Sequence, residues 1–135
     1  MKYRILIVSA NYYTDISNNL LKDAKTTLKS KAKYQIINVP GVFEIPVIIA
    51  KNIKKYHGFI ALGCVIKGET PHFDFISTTT INAIMNLSIV HKKPIGNGIL
   101  TCLYKRQAKA RSGSFNKVGK GTEAAKAVLS VLNNF

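Results

Sequence analysis

Acid is scarce in this chain. Six carboxylates stand against twenty Lys and Arg in 135 residues, a formal net charge of +14. Tryptophan is absent, histidine occurs three times, proline four times and cysteine twice. Each shortage removes a class of protein. Cys64 and Cys102 share no redox or metal-ligand spacing and each lies inside an apolar run, so they read as buried, reduced thiols. Two isolated cysteines and three dispersed histidines draw no zinc site, and no metal is expected. No run approaches the roughly 20 apolar residues needed to cross a bilayer. The apolar stretch behind the charged start is too short for a signal peptide. A cytoplasmic location is expected, with no membrane partner.

Arginine is scarce too, since seventeen of the twenty basic residues are Lys. They are spread through every expected helix, for example at Lys22, Lys25, Lys29, Lys51, Lys92 and Lys93. There is no arginine-rich arm, no helix-turn-helix spacing and no aromatic-basic ribonucleoprotein motif. A solvated cationic exterior is the favoured reading, and nucleic acid is not an expected partner. Such a field still favours anionic small molecules such as phosphate esters.

What is present is the makings of a core. Apolar residues form 47% of the chain, with six Tyr and six Phe. That is the composition of a globular domain, and residues 1–135 read as one domain burying roughly two-thirds of its unfolded surface. Short apolar runs at Arg4–Val8, Gln35–Val39, Phe59–Ile66 and Gly98–Leu103 predict strands. Helical spacing predicts helices over Ile16–Leu28, capped by Asp15 or Ser17, and over Phe43–Tyr56, Phe73–Lys92, Tyr104–Ser112 and Gly121–Asn134. Alternating strands and helices, with strands apolar on both faces, predict a three-layer α/β/α sandwich around a four-stranded parallel, flavodoxin-like sheet. Ligands of such sheets bind at the carboxyl ends of the strands.

The scarce residues gather at that edge. The segment "GETPHFDF", 68–75, sets Glu69, His72 and Asp74 where the third strand gives way to a helix. The start of that helix is a natural anion seat, with Thr70 adding a hydroxyl and Lys67 a charge, and His72 at its rim is a candidate proton carrier. A plain helix cap with a surface histidine is the alternative. "VPGVFEIP", 39–46, turns at Pro40–Gly41 and carries Glu44, which serves either the crevice or the helix start. "SANYYTD", 9–15, offers Tyr12 or Tyr13 to a planar ring, or simply to packing. Near the last strand's exit, "YKRQAKARSGSFNKVGKG", 104–121, includes Arg111, one of three arginines, whose planar fork suits phosphate.

These motifs together resemble the lumazine synthase family, the penultimate enzyme of riboflavin biosynthesis. The resemblance runs from Arg4 to about Leu132 and is most specific in "VPGVFEIP", "ALGCVIKGETPHFDF" and "GNGILTCLYKRQAKARSG". It implies a transferase that condenses 5-amino-6-(D-ribitylamino)uracil with 3,4-dihydroxy-2-butanone 4-phosphate to 6,7-dimethyl-8-ribityllumazine, without a cofactor. Residue by residue, Tyr12 falls on an aromatic that stacks on the pyrimidine. Val42, Phe43 and Glu44 match the segment holding the ribityl chain and ring, and Cys64, Val65 and Ile66 the strand end against the pyrimidine. Glu69 and Thr70 match the phosphate loop, His72 the proton donor and Arg111 the phosphate-binding arginine. Glu123 falls on an acidic position placed to orient His72.

There are departures from the family's pattern. Tyr12 replaces the commoner Phe, and Asn97 stands where many members carry an aromatic facing the pyrimidine. The turn after Arg111 is one residue longer than usual, so Phe115 or Asn116 takes the place of a phosphate-side lysine and Lys117 lies just beyond. The family builds its active site between neighbours in a homopentamer, with Asn97 and Arg111 facing the next subunit's Tyr12, Glu44 and His72, and some members close into an icosahedral shell. The abrupt start at the first strand and the longer turn lead us to expect a free pentamer. Two rival readings remain: a non-catalytic flavin- or lumazine-binding protein on the same fold, and a basic nucleic-acid-associated protein.

Overall fold

The computed structural model describes residues 2–67, 72–113 and 118–135. The chain alternates strictly at first: β1 (Arg4–Ala10), α1 (Thr14–Leu28), β2 (Lys33–Val39), a 3-10 turn (Val42–Glu44), α2 (Ile45–Lys51), β3 (Gly58–Ile66), α3 (His72–His91) and β4 (Ile95–Cys102). It closes with α4 (Lys105–Arg111) and α5 (Lys120–Asn134). All four strands pair in parallel in the order β2-β1-β3-β4. That is the expected flavodoxin-like order, and it follows from right-handed crossovers laid on either side of a buried sheet.

Period-two alternation divides the apolar strands between two cores. Ile5, Ile7, Ile60, Leu62, Leu100 and Cys102 face α1, α4 and α5, where they meet Leu20, Ala24, Ala108, Ala125 and Val128. Leu6, Val8, Phe59, Ala61 and Ile99 face the opposite layer and meet Ile45, Ile49 and Ile84. The α1/α5 layer is tightly sealed. Gly121 lies so close to the Leu20 carbonyl of α1 that no side chain fits there. The α2/α3 layer is looser: across its 20 residues α3 buries only Thr80 and Ile84. Among the described residues no helix is long and apolar enough to cross a membrane.

Three local expectations are corrected. The helix expected over Phe43–Tyr56 is a 3-10 turn followed by a short α2 that stops at Lys51. The Asn52 side chain donates back to the Ile48 carbonyl at 2.8 Å, and Lys93 Nζ donates to the carbonyls of Ile53 (2.6 Å) and Tyr56 (2.9 Å). Those bonds hold the chain in turns so that it can enter β3. Strand β4 begins at Ile95 rather than Gly98, because Phe59 pairs with Ile95 and Ala61 with Asn97. Its glycines lower the apolar signal without preventing pairing. Finally, Tyr13 is the cap residue of α1. Ser17 instead donates its hydroxyl to the Ala10 carbonyl at 2.7 Å, tying the helix to the end of β1.

Candidate active site

At the carboxyl edge of the sheet, four chain turns converge on an open cavity of about 340 Å³. The exit of β1 supplies Tyr12 and Tyr13, and the turn after β2 supplies Gly41, Val42 and Phe43. The end of β3 supplies Cys64, Val65 and Ile66, and the first turn of α3 supplies His72 and Ile76. Local chemistry explains the shape. Gly63 has no side chain because Val42 Cγ1 and Ala10 Cβ occupy that space, which seats the 3-10 turn directly on β3. Phe43 is thereby pushed outward and is 58% exposed. Tyr12 is 75% exposed and meets Tyr13 edge-on, with ring centroids 4.9 Å apart. Exposed rings beside a half-buried apolar wall form a surface suited to a flat heterocycle.

Two groups of this cavity, Cys64 and Tyr13, are held in their neutral forms. Burial, then the proximity of Cys102 and Asp15, pushes the Cys64 thiol up to about 12. At physiological pH it is protonated, so it serves as wall and not as nucleophile. Burial, with Cys64 and Tyr12 adding to it, raises the Tyr13 phenol as well. His72, exposed, lines the same cavity.

A second cavity, of about 360 Å³, lies along β4 and between α4 and α5. Ile99, Leu100 and Thr101 form its floor, and Arg111, Val118, Lys120 and Glu123 its sides. Arg111 Nη1 donates to Cys102 Sγ at 3.7 Å, a weak bond that steadies the guanidinium. Lys120 pairs with Glu123 at 3.8 Å. Two cations and one acid beside open space suit an anion such as a phosphate ester.

Asp15 ties the start of α1 to α4. Its carboxylate, at the start of α1, lies 3.9 Å from Lys105 Nζ and 3.7 Å from Lys109 Nζ, both on the helix that carries Arg111. Partial desolvation pulls the Asp15 carboxyl up, but the Ile16 N–H bond and the two lysines outweigh it and hold it below its ordinary value.

Of the residues singled out from sequence, the structure brings Tyr12, Val42, Phe43, Cys64, Val65, Ile66 and His72 around one cavity. Glu44 is not in its wall. Its Oε1 is folded toward Gly41, 3.3 Å from where a side chain there would begin. Arg111 lines the other cavity, and Asn97 lines neither. Asn97 is exposed on the outer strand β4, where its Oδ1 accepts the Ile99 N–H at 3.0 Å. Glu123 sits with Arg111 and Lys120, so within one chain it is not beside His72. Glu69, Thr70 and Lys117 lie outside the described residues. Sequence reasoning missed Gly41, Ile76, Thr101 and Lys120 as lining residues. Ile76 carried a usable signal, being one helical turn beyond His72; Lys120 was lost in a basic run.

An all-parallel 2-1-3-4 sheet, with a cavity walled by apolar and aromatic side chains at its carboxyl edge and a basic cavity beside its outer strand, is a flavodoxin-like α/β fold. The family model described as 6,7-dimethyl-8-ribityllumazine synthase matches residues 2–135, and the chain belongs to that family. It is 46% identical to a Bartonella henselae protein of that name, over 97% of this chain and 87% of the relative. It is 43% identical to an Agrobacterium fabrum protein of the same name, over 97% and 93%. A Rhodopseudomonas palustris protein, 6,7-dimethyl-8-ribityllumazine synthase 1, is 43% identical over 95% and 85%.

Proposed function

We propose that residues 1–135 act as a single lumazine synthase domain, joining 5-amino-6-(D-ribitylamino)uracil to 3,4-dihydroxy-2-butanone 4-phosphate. The observation that carries this reading is the convergence of Tyr12, Val42, Phe43, Cys64, Val65, Ile66 and His72 on one cavity. In the first step the 5-amino group attacks the ketone, and water leaves as the imine forms. The carbon bearing the middle hydroxyl then loses a proton while phosphate departs with its C–O bonding electrons. The resulting enol becomes a ketone, the ribitylamino nitrogen attacks it, and a second water leaves as the ring closes.

None of these steps needs a nucleophile from the protein, which fits a protonated Cys64. They need proton transfer, assigned to His72, and stabilisation of the departing phosphate, assigned to Arg111. Tyr12 and Phe43 hold the pyrimidine, with Glu44 and the backbone of residues 64–66 fixing its edge. Glu69 and Thr70 take the phosphate together with Arg111, and Asn97 faces the ring from the adjoining subunit.

The assignment requires two chains per site. Within one chain, His72 and Arg111 line cavities with no residue in common. The α2/α3 layer meanwhile leaves Phe43, Val47, Phe75, Met85, Ile89 and Val90 exposed, an apolar surface suited to burial against a copy of itself. A ring of five is the arrangement the family likeness supports. A cytoplasmic location belongs to the same proposal, supported by two free, buried cysteines. Mixing the purified protein with both substrates should generate lumazine fluorescence. A folded protein that forms no lumazine sinks the reading, and sedimentation as a monomer sinks the shared site.

A further inference from the structure

The amino ends of the strands, at the opposite edge of the sheet from His72, carry a third cavity of about 450 Å³ that the condensation does not use. Arg4 opens β1, Lys33, Tyr34 and Gln35 open β2, and Lys55 and Tyr56 lead into β3. Arg4 and Lys33 are direct partners in the parallel register, so two cations stand side by side on neighbouring strands. Like charges so placed repel, and here no acid separates them. Among the described residues no ion pair includes Arg4, Lys33 or Lys55.

The basin is nonetheless built rather than loose. The Arg4 guanidinium lies 5.7 Å from the centroid of the Tyr56 ring and donates to the Lys55 carbonyl. The Arg4 backbone N–H donates to His57 Nδ1 at 2.9 Å, and His57 is itself held edge-on by Tyr3. The Tyr56 hydroxyl donates to Gln35 Oε1 at 2.5 Å. A fixed guanidinium and two lysines answer a phosphate dianion. Tyr34 and Tyr56, both half-buried, offer ring surface for the organic part, and the volume falls within the ordinary range for small-ligand sites.

We infer that this basal basin binds a phosphate monoester carried on a compact planar ring, the chemistry of a mononucleotide, independently of the active site. The test is calorimetric titration of the assembled protein with adenosine 5′-monophosphate, adenosine and a short RNA oligomer bearing a 5′-hydroxyl. Adenosine 5′-monophosphate is expected to bind about tenfold or more tighter than adenosine, since charge-assisted bonds carry the phosphate. Lys33→Glu, which gives Arg4 an internal partner, and the milder Lys55→Gln are each expected to weaken the monophosphate by about tenfold. His72→Ala and Arg111→Ala are expected to leave it unchanged. The inference is overturned if the monophosphate does not bind or binds no better than adenosine. Indifference to Lys55→Gln, or loss of binding in Arg111→Ala, also overturns it. If the RNA oligomer binds as tightly as the monophosphate, the basin is a nucleic-acid backbone track and the inference fails as well.

Discussion

The cavity beside His72 and the cavity beside Arg111 differ in nearly every physical respect. The first is made of turns at the carboxyl ends of three strands, walled by apolar and aromatic side chains, with its thiol and phenol held neutral. The second runs along an outer strand and is walled by two cations and an acid. One is shaped for a ring and the other charged for an anion. A single chain that needed both at one reacting centre would have to fold them together, and this fold holds them apart. On the function proposed above, each subunit contributes a slot to one neighbour and a guanidinium to the other, because one chain lines the two cavities with different residues.

The sharpest way to break the comparison is to remove the charged half. Arg111→Ala is expected to lower kcat/KM by about 10³, the loss of two charge-assisted bonds to a departing phosphate. Arg111→Lys should recover only part, since a point charge cannot replace the fork. Co-assembling Arg111→Ala with His72→Ala chains then tests the division itself. If the halves come from different chains, random mixing restores about a quarter of the sites. If they come from one chain, mixing restores nothing.

Removing the proton carrier is expected to cost less. His72→Ala should lower kcat by about 10² while leaving KM little changed, because positioning survives and only proton transfer is lost. A well-folded His72→Ala protein with no turnover at all would show that the imidazole does more than move a proton. The ring-binding wall comes next. Tyr12→Ala should raise KM for the pyrimidine substrate by about tenfold, with kcat nearly unchanged, and Tyr12→Phe should be close to neutral, since the face and not the hydroxyl is used. Equal losses in both variants would mean the hydroxyl makes the contact.

How much of this was legible beforehand follows the same line between local and distant causes. The apolar runs at Arg4–Val8 and Phe59–Ile66 announced buried parallel strands, and the strand order followed from chain direction and handedness. Tyr12 and the turn at Pro40–Gly41 were legible because strand ends are where such folds bind ligands, whereas the roles of Val42 and Cys64 came only with the family resemblance. What escaped were choices made by partners far along the chain. Lys93 bonds across to Ile53 and Tyr56 and so fixes where the chain leaves α2, which no periodicity reveals. Ser17 looked like a cap and instead bonds the Ala10 carbonyl. The separation of Arg111 from His72 was likewise invisible to spacing, since it depends on which side of β4 the last two helices occupy.

The smallest effect concerns Asp15, the acid that ties the start of α1 to α4. Asp15 is exposed, and its carboxyl is held below its ordinary value by the Ile16 N–H and by Lys105 and Lys109 against partial desolvation. A carboxyl whose folded pKa is depressed stabilises the fold above its unfolded value, near 3.9, and that contribution disappears as pH falls through the folded value. Asp15→Asn is therefore expected to lower Tm slightly at neutral pH and not at all once both states are protonated. The difference should shrink with added salt, as exposed pairs do. Thermal melts of the two proteins across that range check the sign. A variant equally destabilised in strong acid would mean that Asp15 acts through packing or through the start of α1. In that case α4 would not be tethered to the start of α1 by charge, and its orientation would have to come from Ala108, buried in the core.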